Sequence, residues 1–262
     1  MMDLEFYGDA GGAGDTSNIA LGGYLGTVDQ WRAFRDAWQA MLDQEGVECF
    51  HRTDMEKPFH GEFKTKGWTE EHKLPVLKEL QKIIKRHTIR GIGHAVRNKA
   101  FSQLMPPQIK QTYGGPYGWC VLLEVIEVGL WARRRNQWVN YFFEAGDRGQ
   151  KQANATMNKL FNDPKYKEFF RIAGWSFVPK KGPNAAIQLQ PADFIAFEAY
   201  KDIDNYLKGS PRKARKSRKD LIRPKRDELR LWADKPFAKW LARLADFNGD
   251  VIETLITTDP NS

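Results

Sequence analysis

The chain has 262 residues, 41% hydrophobic and 13% aromatic, and a formal net charge of +8. That composition excludes intrinsic disorder and suits a packed core of one large domain or two small ones. Two cysteines with no CxxC pair exclude a disulfide framework, and no basic start with a long apolar run marks a signal peptide, so a reducing cytoplasmic setting is expected.

In chain order, residues 3–9 (Leu4-Glu5-Phe6-Tyr7-Gly8-Asp9) read as an apolar strand that leaves through the turn Gly11-Gly12-Ala13-Gly14. Residues 18–26 read as a second strand in a hairpin with the first, and their small residues predict close approach of another backbone. Asp29 is the candidate cap of a helix whose Trp31, Phe34, Trp38 and Met41 recur at helical spacing. Residues 46–67 look irregular and carry His51, Asp54 and His60. Thr69 caps the next helix, with Glu70 and Glu71 in its first turn and Lys85, Arg86 and His87 in its last, matching the helix dipole.

A third strand is expected over 88–96, then an apolar helix over 116–135. Glu124 and Glu127 interrupt that helix, which makes it a buried helix and not a membrane span. The strand 138–144 ends on Glu144, a helix covers 151–161, a short strand covers 174–179, and a helix with Asp193 in its first turn runs to 207. From 229 a closing helix is expected, carrying Leu229, Trp232, Phe237, Trp240, Leu241 and Leu244. The pattern is that of an α/β protein with one central sheet between helices: a core over 1–207, a basic exposed loop over 208–228 and a C-terminal helix over 229–262.

Charge is unevenly spread. Residues 208–230 hold eleven Lys and Arg against Asp220, Asp227 and Glu228, which equals the net excess of the whole chain. Lys208, Arg212, Lys213, Arg215, Lys216, Arg218, Lys219, Arg223, Lys225 and Arg226 are therefore candidate nucleic-acid contacts.

Asp9 and Glu144 each end a strand, and Asp193 opens a helix with Gln190 on the same face three residues earlier. If the first and fourth strands lie adjacent and parallel, Asp9 and Glu144 meet at the carboxyl edge of the sheet, where α/β proteins bind ligands. Three carboxylates suit one or two Mg²⁺ or Mn²⁺ ions, which take hard oxygen ligands and activate water for in-line displacement at phosphorus. Acids on a basic background point to a metal-dependent enzyme acting on a polyanion, a nuclease in the simplest case.

Three segments resemble the domain-of-unknown-function 3800 family: Tyr7-Gly8-Asp9-Ala10-Gly11-Gly12, Phe50-His51-Arg52-Thr53-Asp54-Met55 and Leu189-Gln190-Pro191-Ala192-Asp193-Phe194-Ile195-Ala196. The third is the most specific, and together they cover roughly residues 3–207. Ala10 stands where the family often has an acid or Ser, and Pro191 where it usually has Leu. The resemblance implies a ribonuclease H-like fold, an acidic set of Asp9, Glu144 and Asp193, and a link to phage or mobile elements. It further implies a ligand on the helix before the fourth strand, Glu124 or Glu127, the alternative being that these acids form a solvent-facing stripe. His51 and Asp54 enter as proton-carrying or supporting groups, and Asp147 as an additional metal ligand. No zinc spacing, phosphate-loop pattern or GxSxG elbow is present. The rival expectation is a catalytically inert nucleic-acid- or partner-binding protein on the same scaffold; a homo-oligomer, or a nuclease that waits for a protein activator, also fits the sequence.

Overall fold

The computed structural model describes residues 4–11, 17–56, 58–209, 215–234 and 237–239. Its centre is a six-stranded mixed sheet in the order β5-β4-β1-β2-β3-β6. The strands are β1 Leu4–Gly11, β2 Asn18–Thr27, β3 Arg90–Arg97, β4 Val139–Glu144, β5 Ile172–Val178 and β6 Glu228–Trp232. β1, β2 and β3 form an antiparallel meander. β4 adds to β1 in parallel, β5 adds to β4 in parallel, and β6 lies parallel to β3.

The period-two alternation of each strand sends its apolar residues to two layers. Leu4 and Phe6 of β1 join the larger core under helix α6 (Pro116–Arg133). Tyr7 faces the other way, into a core built with α1 (Val28–Glu45) and α3 (Glu70–His87). Helix α9 (Gln190–Leu207) lies on that second face. A Cβ on Gly22 would sit 2.7 Å from the Ala196 amide nitrogen, and one on Gly11 2.7 Å from the Ala196 carbonyl oxygen. The small residues of the hairpin are thus what let α9 lie on the backbone, as their presence predicted.

Around this frame stand α2 (Gly61–Thr65), α4 (Asn98–Leu104), α5 (Pro107–Tyr113), α7 (Gln150–Asn162), α8 (Pro164–Phe169) and α10 (Lys216–Leu221). Among the described residues no helix is long and apolar enough to cross a membrane. α6 is buried nearly all round, Glu124 and Glu127 included.

Three expectations are corrected. Thr27, not Asp29, caps α1: its hydroxyl accepts the Gln30 amide at 3.2 Å, and Gln30 Oε1 accepts the Thr27 amide at 3.0 Å. This capping box satisfies two end groups that a single Asp in the first turn would leave open. The closing helix does not begin at 229, because Glu228-Leu229-Arg230-Leu231 alternates with period two and pairs with β3; Trp240, Leu241 and Leu244 lie outside the described residues. The basic segment is not an exposed loop throughout: it contains α10, and three of its arginines are docked in ion pairs.

Candidate active site at the carboxyl edge of the sheet

β1 and β4 are adjacent and parallel with Glu5 opposite Asn140 and Tyr7 opposite Phe142. Asp9 and Glu144 are the next residues of that register, so both carboxyl groups leave the same face at the carboxyl edge. The Tyr7 and Phe142 rings stack just beneath them, at 4.8 Å. Asp193 arrives from the first turn of α9 on the same face. Asp9 and Asp193 lie close enough to perturb each other, and Asp9 and Glu144 close enough to share a proton.

The residue that organises this cluster is Lys180, two positions past the end of β5. Its Nζ donates to Asp9 Oδ2 at 2.6 Å and to Glu144 Oε2 at 3.1 Å. Asp9 Oδ1 accepts the Ala10 amide at 2.8 Å, so both oxygens of a fully buried carboxyl are satisfied. Burial pushes Asp9 well above the usual carboxylate range, and the opposing pull of Lys180 does not cancel it. Burial acts on Glu144 in the same sense, but the Asp9 proton, Lys180 and His51 together hold it below its ordinary value. Lys180 is raised: burial alone would discharge the amine, and the three carboxylates overcome it. One ammonium thus faces three acids, two of them close enough to share a proton.

Asp193 and Gln190 do a second job. Asp193 Oδ2 accepts the Arg52 amide at 2.6 Å, while Gln190 Oε1 accepts the Phe50 amide at 3.1 Å and the Trp38 indole at 2.8 Å. One turn of α9 therefore pins the segment that carries His51. His51 Nδ1 lies 3.1 Å from Asp54 Oδ2, and Nε2 lies 3.6 Å from Asp193 Oδ2. A neutral ring that donates from Nδ1 to Asp54 leaves the Nε2 lone pair on the side of the acidic cluster. His51 and Asp54 remain about 30% exposed, so the cluster is open on this flank. Asp147, on the turn after β4, sits beside Glu144 and Tyr117, and its burial raises it.

The other predicted ligands are elsewhere. Glu124 and Glu127 stand on α6, across the sheet from Asp9. Burial pushes Glu124 well up, with Glu127 adding to it, and both Glu124 oxygens are buried without a hydrogen-bond partner. Glu127 is placed with Arg90, Arg230 and His94 near the amino ends of β3 and β6. Neither acid belongs to the carboxylate cluster, and neither forms a solvent-facing stripe. A helix turn fixes which side of the sheet its residues face, and α6 covers the wrong side.

The basic segment divides. Arg215 pairs with Glu56 and Glu198, Arg218 with Asp202, and Arg223 with Asp227, so these three act as internal struts. Lys208 pairs with Asp204 at the end of α9. Lys216, Lys219, Lys225 and Arg226 are exposed, and Arg212 and Lys213 lie outside the described residues. Among the described residues, no three His, Cys, Asp or Glu side chains stand around a common point as a metal-holding group. At the carboxylate cluster the charge is met by the Lys180 ammonium. The sequence reading does not single out Lys180, although Pro179-Lys180-Lys181-Gly182 places it at a strand exit just as Asp9 and Glu144 are placed. Compared with known proteins, the sequence matches no family model and no curated protein.

Proposed function

We propose that the protein is a metal-dependent phosphodiesterase, in the simplest case a nuclease, on a ribonuclease H-like sheet, with a link to phage or mobile elements. The observation that carries the reading is the convergence of Asp9, Glu144 and Asp193 with His51 at an open flank of the carboxyl edge. The fold part is supported by the β1-β2-β3 meander with β4 and β5 added in parallel beside β1, and by the three resembling segments.

The donor set fits Mg²⁺ or Mn²⁺: Asp9, Glu144 and Asp193 offer only hard oxygen, with Asp147 next to Glu144. These residues would hold one or two ions once Lys180 leaves the carboxylates. A bound divalent ion supplies positive charge at a phosphate and a more acidic water. The chain's own groups do the rest. His51, oriented by Asp54, takes a proton at Nε2 from the attacking water as its oxygen bonds to phosphorus; the ester P–O bond breaks, and the leaving oxygen takes a proton from solvent water. Lys180, swung out of the cluster, places its ammonium near the phosphate oxygens. Lys216 and Lys219 attract the nucleic-acid backbone without reading sequence.

A second reading is favoured by the Lys180 contacts themselves: a self-neutralised, inert scaffold that binds nucleic acid or a partner. Two assays separate them. The enzyme cleaves labelled DNA or RNA in Mn²⁺ and not in EDTA, and its melting temperature rises with Mn²⁺. Neither cleavage nor a Mn²⁺-dependent rise leaves the inert scaffold.

A further inference from the structure

At the amino ends of β3 and β6, away from the carboxylate cluster, a groove of about 400 Å³ is lined by Lys85, Arg86, Arg90, Arg135, Lys225 and Arg226, with no acid in its wall. A neighbouring groove of about 320 Å³ shares Arg90, Lys225 and Arg226 and adds Arg134. We propose that this cleft is a binding site for a compact polyphosphate anion, a chain of closely linked phosphates such as a nucleoside polyphosphate carries. The inference is independent of the chemistry at Asp9.

Besides Arg90 of β3, the cations converge from three segments. Lys85 and Arg86 come from the last turn of α3, Arg135 follows α6, and Lys225 and Arg226 lie on the turn before β6. That turn is braced. The Arg223 guanidinium donates to the Lys85 and Thr88 carbonyls at 3.1 and 2.6 Å and grips Asp227 at 2.7 Å. Asp227 in turn accepts the Gly91 and Arg223 amides at 2.6 and 2.7 Å. The brace holds Lys225 in the left-handed region, φ 70°, which a side chain other than glycine adopts at a cost of about 1 kcal/mol or more. The Arg135 Cζ lies over the Trp131 ring, 3.8 Å from its centroid, which keeps the charge at the groove wall.

The acids of the second groove are already engaged: Asp227 by Arg223, Glu228 by Arg90 and Arg230, Glu127 by Arg230. Two helix C-termini end here, which accounts for Lys85 and Arg86 but not for the braced pair on the turn. The two dipoles together supply about one negative charge. With Arg90 assigned to Glu228, five cations remain, so the groove keeps an excess of about +4. Cations that converge on a pocket of ligand size match adjacent phosphates better than the spread phosphates of a strand.

The test is isothermal titration calorimetry in EDTA at about 0.1 M salt, with tripolyphosphate, ATP, AMP and a 12-nucleotide single strand. Tripolyphosphate and ATP are expected to bind one to one, AMP far more weakly. Lys225→Gly/Arg226→Ala, which keeps the turn's backbone geometry, should weaken tripolyphosphate at least tenfold, as should Lys85→Ala, while Lys99→Ala, an exposed cation on α4 outside the groove, leaves the tripolyphosphate affinity unchanged. ATP tighter than tripolyphosphate identifies a nucleoside polyphosphate; equal affinity identifies the phosphate chain itself. The proposal is overturned by no binding at millimolar tripolyphosphate, by affinity unchanged in both groove variants, or by a strand that binds more tightly and displaces tripolyphosphate.

Discussion

Replacing Lys180 by Met removes the ammonium and keeps most of the buried stem. Three carboxyl groups then face one another with only the shared proton between them. Taking one partner from a buried ion pair typically costs about 3–5 kcal/mol. Here the loss depends on pH, because Lys180 is the strongest influence holding Asp9 down. Without it Asp9 rises further and binds its proton more tightly in the folded state than in the unfolded chain. A carboxyl raised by folding stabilises when protonated, and that contribution disappears as pH rises through the folded value, at about 1.4 kcal/mol per unit. The penalty should therefore grow from pH 5 to pH 8, toward the about 3–5 kcal/mol of a broken buried ion pair. For a chain of this size that loss lowers Tm by about 6–20 °C. Urea unfolding at the two pH values, with and without Mn²⁺, measures it. Saturating Mn²⁺ at 100 times its Kd should return about 2.7 kcal/mol. A pH-independent penalty below about 1 kcal/mol would show that Lys180 is not what compensates the acids.

Further predictions concern the frame of the site and the second core. His94 is wholly buried, accepts the Trp232 indole at 3.1 Å on Nδ1, and is held down to about 3 by burial. Its neutral form stabilises the fold above about pH 6.5, and that stability is lost as pH falls toward about 3; unfolding at pH 5 should have lost about 2 kcal/mol relative to pH 7, and His94→Gln should flatten the slope. Gln190→Leu strands the Phe50 amide and the Trp38 indole, so thermal melts should show a loss of about 2–4 kcal/mol; a neutral result would mean that these contacts do not pin the His51 segment. Gly22→Ala drives a methyl into the Ala196 backbone and should cost about 1–3 kcal/mol, read by the same melts.

Much of the scaffold is legible in the sequence because it is local. Residues 4–9 and 139–144 read as short apolar runs that end on an acid, Thr69 caps α3 as expected, and the glycines of β2 announce a backbone at close range. The candidate site is only half legible. The three acids show as strand and helix termini, but Lys180 joins them through the register of two parallel pairs, β1 with β4 and β4 with β5, which no local pattern encodes. Glu124 and Glu127 misled because helical spacing gives which residues share a face and not which side of the sheet that face covers. Leu229 and Trp232 fit a helical interval, yet Leu229 and Leu231 also fit a strand, and pairing with β3 decides between them. Arg215, Arg218 and Arg223 read as free charge because their acidic partners come from distant segments or, for Asp227, from a turn.

The most direct test of the central claim is a cleavage assay with labelled single- and double-stranded DNA and RNA, in Mn²⁺, Mg²⁺ or EDTA, for the wild type, Asp9→Asn and Asp193→Asn. The account predicts cleavage that needs the metal and falls by about 100-fold or more in each variant. Full metal-dependent cleavage by Asp9→Asn, or no cleavage of any substrate by the wild type, would contradict it.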